Sequence, residues 1–255
     1  MVMTDEEKFT FDLEGYLVIR NVLTVEEIAE LNRQADEIWP RQAEAQPFRR
    51  TADISKWGKP FLDLMDHPKV LPYLIELLGR QLRIDHDYCI FMEKSDLGMQ
   101  LHGGPRRIEA DHWYEYHDGV MRNGLMVATW NLSDALNDEG GFACVPGSHK
   151  TNFMMNLPRD VRKFEREAHY VRKPPMAAGD VLIFTEALIH GTAAWCGEHE
   201  RRALLFKYSP GYQSWAKTFY NPDDYPEATE QQRRLMAPPS IEDHPRVVEL
   251  KESPQ

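Results

Sequence analysis

The sequence predicts a mainly β domain, a β-sandwich or jelly roll with helical support. Helical spacing of apolar residues dominates the first 80 or so positions, which predicts a helical layer there. From about residue 81 to 212, short runs of β-branched and aromatic residues alternate with turn-forming Gly, Pro, Asn and Asp. Helices followed by many short strands are typical of a β-sandwich or jelly roll with helical support.

The N-terminal layer, about residues 1–80, contains one strand and two helices. Phe11 and the run Tyr16–Ile19 indicate a short strand. Thr24 with Glu27 three residues later forms a capping-box pattern, which predicts a helix that ends before Pro40. A second helix is expected over Pro68–Leu78, with Gly79 as its stop.

The β core, about residues 81–212, is expected from six apolar runs. They read LRIDHDYCIFME, GLMVATWNLS, GGFACVPGS, HYVRKPP, DVLIFTEALIH and RRALLFKYSP. The rest, about residues 213–255, is Pro-rich and charged, with a helical stretch near Pro226–Met236, and we expect it to cover the core. Because the chain has no repeat and no Gly/Ser linker, residues 1–255 are predicted to form one domain.

Composition and charge narrow the function classes. The formal net charge of −11 repels polyanions, so a small-molecule substrate is expected rather than a nucleic acid polymer. No apolar run reaches the roughly 20 residues of a membrane helix, and the acidic N-terminus is unlike a secretory signal. Three cysteines without a CxxC pair fit a reducing cytoplasm. No docking helix for a carrier protein is evident in the sequence.

Four motifs that carry chemistry occur in a fixed order. The first contains His102 and reads MQLHGGPRR, and the second is a Gly-Gly turn that reads DEGGFACVPGSHKTN. The third contains His190 and reads AAGDVLIFTEALIHGTAAW. The last, EHERRALLFKYSP, places Arg201 eleven residues after His190.

The order and spacing of these motifs resemble the phytanoyl-CoA dioxygenase family over Phe11 to Pro210. Members of that family carry a His-x-Asp motif, followed at similar distances by a second histidine and an arginine. The resemblance implies a double-stranded β-helix, also described as jelly-roll or cupin-like. It also implies the use of Fe(II), 2-oxoglutarate and O₂.

The resemblance assigns roles to four residues. His102 and His190 would hold Fe(II) and leave neighbouring positions free for the cosubstrate and O₂. Arg201 would bind the far carboxylate of 2-oxoglutarate, since a guanidinium grips a carboxylate with two hydrogen bonds, and Thr192 would add a hydroxyl. Arg202 is the rival of Arg201, but strand alternation allows only one of them to face the barrel interior. The spacing favours Arg201.

The chain departs from the family pattern because Gly104 stands where the aspartate ligand is expected. In one interpretation the vacancy admits chloride to the iron, as in related halogenases with His-x-Gly, and the product gains chlorine. In a second, another acid or a water completes the centre and the enzyme hydroxylates; the candidate acids are Glu109, Asp111, Glu115 and Glu186. In a third, the chain is a cupin-like metal-binding protein without redox chemistry. The glycine favours the halogenase.

The segment after the first metal motif, PRRIEADHWYEYHDG, predicts the substrate site. Arg106 and Arg107 could grip a phosphate or carboxylate. Aromatic rings could stack on a planar group of the substrate, and these are His112, Trp113, Tyr114 and Tyr116. Together they favour a free polar metabolite such as a nucleotide, and the alternative is a hydrated surface loop.

Overall fold

The computed structural model describes residues 3–105, 111–136 and 139–248. Within these ranges the chain forms a mainly β fold with six α-helices. The helices are α1 (Asp5–Glu14), α2 (Val25–Ile38), α3 (Lys59–Leu62), α4 (Leu71–Leu78), α5 (Arg159–Arg162) and α6 (Glu230–Leu235). The strands are β1 (Tyr16–Ile19), β2 (Phe48–Ala52), β3 (Leu82–Met92), β4 (Met99–Gly103), β5 (Tyr114–His117), β6 (Val120–Asn123), β7 (Met126–Asn131), β8 (Gly141–Cys144), β9 (Val181–Thr185), β10 (Ile189–Ala193) and β11 (Arg201–Pro210).

Two antiparallel sheets form the body of the fold. The larger has the strand order β1-β9-β7-β11-β3-β2, and the smaller has the order β4-β10-β8. Strands β5 and β6 form a separate hairpin. This arrangement confirms the predicted jelly roll.

The large sheet is buried on both faces, which explains why its strands read as continuous apolar runs. On β11, Leu204 and Phe206 face a core shared with the helices, including Leu31 and Leu74. Leu205, between them, faces the core between the two sheets. Alternate residues of a strand point to opposite faces, so each needs an apolar partner layer.

The helical layer agrees in part with the prediction. The Thr24–Glu27 capping box is confirmed: the Glu27 amide donates to Thr24 Oγ1 (3.2 Å), and the Thr24 amide donates to Glu27 Oε2 (2.7 Å). The assignment of Phe11 to a strand is wrong, because Phe11 lies in α1 and is fully buried there. In the described part of the chain, no helix has the length and apolar character needed to cross a bilayer.

Three differences between predicted and observed strands affect the site. The run DVLIFTEALIH is two strands, because the chain leaves the large sheet after Thr185 and enters the small sheet at Ile189. The run HYVRKPP forms no strand and contributes one bridge, between Arg172 and Cys144. Strand β2 and the β5–β6 hairpin were not predicted.

Substituting Thr24→Ala removes the hydroxyl that caps α2. We expect the free energy of unfolding to fall by about 1 kcal/mol, since an N-cap side chain satisfies an otherwise unpaired amide. Urea denaturation measures the change. Thr24→Ser keeps the hydroxyl and is expected to stay close to wild type; equal losses in both variants would contradict the assignment.

Candidate active site

His102 and His190 lie side by side on neighbouring strands of the small sheet. They are direct partners in the antiparallel pairing of β4 and β10. Their ring centroids are 4.4 Å apart. The strand register therefore brings together two imidazoles that are 88 residues apart in the sequence.

Backbone carbonyls fix the tautomer of both rings. His102 Nδ1 donates to the carbonyl of Gln100 (2.9 Å), and His190 Nδ1 donates to that of Leu188 (2.8 Å). A carbonyl only accepts, so the proton of each neutral ring is on Nδ1 and the Nε2 lone pair is available to a metal. Burial lowers the pKa of His190 to about 4, which keeps that ring neutral.

A cavity next to the histidine pair extends to Arg201. His102, His190, Thr192 and Arg201 all line it, and the other lining residues are Tyr88, Ile90, Met99, Thr129, Phe142, Phe184, Gly191 and Leu205. The lining is mostly apolar, with the polar groups confined to the histidines, the arginine, two threonines and a tyrosine. A compact, polar-ended ligand fits such a lining.

Arg201 is a buried cation without an anionic partner in the described part of the chain. Its side chain is 4% exposed. Nη1 donates to Met92 Sδ at 3.6 Å, and the buried Nε has no hydrogen-bond partner among the described residues. Burial lowers the pKa of Arg201 to about 10, so it remains protonated at neutral pH. A buried charge of this kind calls for an anion in the cavity.

The Gly-Gly turn leaves room for that arginine. Gly141 has φ +76°, and a Cβ at this position would lie 2.5 Å from Arg201 Nε and 2.9 Å from its Cδ. A residue with a side chain would therefore be both strained and in collision with the guanidinium. Gly141 of the DEGGF motif therefore lies directly against the Arg201 side chain.

Arg202 faces the opposite side of β11, as strand alternation requires. It contacts Glu200 (2.7 Å) and Asp36 (2.6 Å) on the helical side. Arg201 is thus the arginine that the strand directs into the cavity. Its role in binding 2-oxoglutarate remains a prediction.

A side chain at position 104 would not point toward the histidines. Its φ is +97°, and a Cβ there would meet Ile189 Cγ1 at 3.1 Å and Met154 Cε at 3.2 Å. Ile189 and Met154 belong to a small separate apolar cluster. Ile189 precedes His190 on β10, so its side chain lies on the other face of the strand. The halide-binding role of Gly104 stays a prediction, which this backbone does not favour.

A buried carboxylate approaches His190 from the turn between β9 and β10. Glu186 Oε2 is 3.8 Å from His190 Nε2 and 3.7 Å from His112 Nε2, while Oε1 accepts from Lys207 Nζ at 2.7 Å. Burial alone would raise the pKa of Glu186, but Lys207, His190 and His112 outweigh it and hold the pKa well below its usual range. Glu186 is therefore ionised although it is only 3% exposed.

The predicted substrate residues that the structure describes do not converge as a group. Arg106 and Arg107 lie outside the described residues. His112 lies beside Glu186, and Trp113 Nε1 donates to Gln213 Oε1 at 3.1 Å. Tyr114 donates to Asp12 and Tyr116 is exposed on the hairpin, and both line a different groove, next to Lys8 and Phe9.

Stacking groups that the sequence did not reveal lead from the cavity to the surface. The ring of Tyr88, which lines the cavity, stacks with His86 at 5.9 Å, and His86 stacks with the exposed Trp215 at 4.8 Å. The Arg50 guanidinium lies 3.9 Å from the Tyr88 ring centroid. The sequence did carry one signal for this stack: His86 and Tyr88 are two residues apart, and residues with that spacing share a face of a strand such as β3.

The histidine pair by itself does not complete a metal-binding group. In residues 3–105, 111–136 and 139–248, no three His, Cys, Asp or Glu side chains are already arranged to hold an ion. The cavity nonetheless combines two available Nε2 atoms, which could bind iron, with a buried arginine, which could bind the carboxylate of a keto acid. Together with the jelly roll, these groups match the class of Fe(II)/2-oxoglutarate oxygenase-superfamily enzymes.

Comparison with known proteins identifies the family. The phytanoyl-CoA dioxygenase (PhyH) family model matches residues 11–203, and the chain belongs to this family. No curated protein gave a significant sequence match.

Solved structures with this fold include HygX from Streptomyces hygroscopicus with nickel and 2-oxoglutarate bound. It is 25% identical, with a TM-score of 0.75, and the match covers 84% of this chain and 89% of HygX. The form that also contains hygromycin B gives 25% and 0.74, with 83% and 89% covered. The non-heme alpha ketoglutarate dependent carbocyclase SnoK from nogalamycin biosynthesis, 18% identical with a TM-score of 0.62 over 82% and 85% of the chains, shares the fold.

Substituting Gly141→Ala places a methyl group against Arg201. Gly119→Ala is a matched control, since Gly119 has a similar φ of +80° and no atom within 4 Å of a new Cβ. We expect Gly141→Ala to cost about 1–3 kcal/mol more unfolding free energy than Gly119→Ala, because a packed interior must shift. Urea denaturation of both variants tests this; equal losses would show that Arg201 is not held against the turn.

Proposed function

We propose that this protein is an iron(II)- and 2-oxoglutarate-dependent enzyme that hydroxylates a C–H bond of a small polar metabolite. One observation carries the proposal: two imidazoles with available Nε2 atoms line the same cavity as Arg201, which is buried and has no anionic partner among the described residues. A keto acid that bridges a metal ion and a cation matches both ends of that cavity. The 2-oxoglutarate in HygX supports this reading.

Each residue has a distinct task in this proposal. His102 and His190 hold Fe(II) through Nε2, and their backbone hydrogen bonds keep the rings oriented. Arg201 binds the far carboxylate of 2-oxoglutarate, which supplies the anion that its buried charge lacks. Thr192 lines the cavity and offers a hydroxyl to the same carboxylate.

The overall reaction balances without any further reductant. Iron(II) and 2-oxoglutarate, when bound, activate O₂ for cleavage of a C–H bond. 2-Oxoglutarate loses CO₂ and becomes succinate, and one oxygen atom of O₂ enters succinate while the other enters the product as a hydroxyl group. The apolar lining, including Phe142 and Phe184, excludes water from this chemistry.

The groups that adjoin the cavity-lining Tyr88 support a substrate class. The stacked rings of Tyr88, His86 and Trp215 would receive a planar or ring-shaped group. Arg50 would favour a phosphate or carboxylate, as in a nucleotide; Arg106 and Arg107, which the sequence predicts for the same role, lie outside the described residues. HygX was crystallised with hygromycin B, which supports a small-molecule substrate for this protein.

Halogenation is the second candidate, and Gly104 is the observation that favours it. Chloride would take the place that an aspartate side chain leaves empty. The substrate hydrogen, a proton and one oxygen atom would then leave as water while chlorine bonds to carbon. Two features favour hydroxylation: the direction of residue 104, and the carboxylate of Glu186 near His190.

Arg201→Met and Arg202→Met form a matched pair on opposite faces of β11. We expect Arg201→Met to weaken 2-oxoglutarate binding roughly 100-fold, as loss of two charge-assisted hydrogen bonds implies. Arg202→Met is expected to bind it like wild type. The affinity of each variant for 2-oxoglutarate is measured by anaerobic titration in the presence of Fe(II), with the visible charge-transfer band as the readout. Equal binding by both variants would show that Arg201 does not hold the keto acid. Absence of the band in wild type would instead favour a metal-binding protein that does not use 2-oxoglutarate.

Chloride distinguishes the two candidate reactions without a substrate. We expect the charge-transfer band of the anaerobic Fe(II)–2-oxoglutarate complex to stay unchanged when chloride replaces acetate as the buffer anion. A shift would show a halide at the metal and support halogenation. Turnover of hygromycin B and nucleoside monophosphates in chloride and bromide buffers then gives the product mass, and an added oxygen atom in both buffers is the expected result.

A further inference from the structure

The two glycines of the first metal motif lie directly against the turn that carries Glu186. The Gly104 amide donates to the carbonyl of Glu186 at 3.3 Å. A Cβ on Gly103 would lie 2.8 Å from that carbonyl and 2.7 Å from the carbonyl of Leu188. The turn can therefore approach the motif this closely only because residue 103 has no side chain.

This close approach brings a carboxylate to the histidine pair. Glu186 Oε2 is 3.8 Å from His190 Nε2. Two ligands that each bind a metal at about 2.1 Å from neighbouring positions are about 3 Å apart. A movement of roughly 1 Å, within the reach of a glutamate side chain, would bring Glu186 to that separation.

The other candidate acids lack this position. Asp111 Oδ2 lies 3.5 Å from His112 Nε2, and its contacts in the described part of the chain include no ion pair with His102 or His190. Glu115 is exposed on β5. Glu109 lies outside the described residues.

Lys207 holds the far oxygen of Glu186. Its Nζ is 2.7 Å from Oε1, and both side chains are nearly buried. Because Oε1 is engaged, Oε2 is the oxygen that faces His190 and His112. A hydrogen bond to the second oxygen of a carboxylate is the usual support for a metal-binding carboxylate.

We infer that Glu186 is the third protein ligand of the metal, supplied by the β9–β10 turn in place of the side chain that Gly104 lacks. The inference rests on the proposed iron site. If Glu186 binds the iron, it also specifies which of the two candidate reactions the site carries out. A carboxylate in this position occupies the place that a halide would need, so the product is hydroxylated. Lys207 is then a positioning residue that orients the ligand.

The test is anaerobic binding of Fe(II) and of Co(II) to the full-length protein. We expect Glu186→Gln to weaken Fe(II) binding by at least the roughly 10–100-fold that loss of an outer-sphere partner costs, and to change the visible Co(II) spectrum, which reports the ligand set. Glu115→Gln, a rival acid on the exposed hairpin, is the matched control and is expected to behave like wild type.

A rescue experiment separates a ligand from a nearby charge. Glu186→Ala is expected to regain Fe(II) affinity and the wild-type Co(II) spectrum when formate is added, because formate can enter the space that the side chain left. The double variant Glu186→Gln/Lys207→Met removes both charges of the pair and avoids an uncompensated buried lysine. Thermal unfolding establishes that each variant is folded.

Two results would overturn the inference. A folded double variant with the Fe(II) affinity and Co(II) spectrum of wild type would show that Glu186 is not a ligand. A loss of affinity in Glu186→Ala that formate leaves unrestored, with an unchanged Co(II) spectrum, would show an indirect effect. Failure of the proposed function is recognised separately, since wild type would then form no charge-transfer band with Fe(II) and 2-oxoglutarate.

Discussion

The site depends on the charge of Arg201, which is buried and has no anionic partner among the residues that the structure describes. Burying a guanidinium without an anion is costly, and the fold accepts this cost at one end of a mostly apolar cavity. The Gly140–Gly141 turn, the register of β11 against β3 and the outward direction of Arg202 all serve to keep that charge in place. A bound dicarboxylate would both neutralise the charge and reach the histidine pair.

The histidine end of the cavity is built from backbone geometry. Carbonyls two residues before each histidine fix the proton on Nδ1, and the pairing of β4 with β10 places the rings side by side. The same region contains an unusual departure from the family pattern, since His102 is followed by two glycines. The close contact of these glycines with the Glu186 turn gives them a steric role that does not depend on an empty coordination position.

The division of DVLIFTEALIH into β9 and β10 has the largest functional consequence of the fold. The chain changes sheets over three residues, and this turn carries a buried, ionised glutamate toward the imidazoles. A continuous strand through residues 180–190 would have placed residues 186 and 190 on one face but in a single sheet. Chains pass from one packed sheet to the other at bends or bulges.

The sequence by itself determined the mainly β fold, the capped helix α2, the long strands β3 and β11, and the positions of His102, His190 and Arg201. The fold elements follow from local periodicity and capping chemistry, which are properties of short segments. The three candidate residues follow from the resemblance of the motif order and spacing to a known family. Only the tertiary structure decided that β9 and β10 are separate strands. It also decided that a side chain at position 104 would point away from the histidines and that Glu186 approaches the histidines. Those facts depend on backbone φ angles and on contacts between segments distant in the chain, which residue patterns do not encode. The stacked rings of His86, Tyr88 and Trp215 likewise required the chain after β11 to fold back on β3.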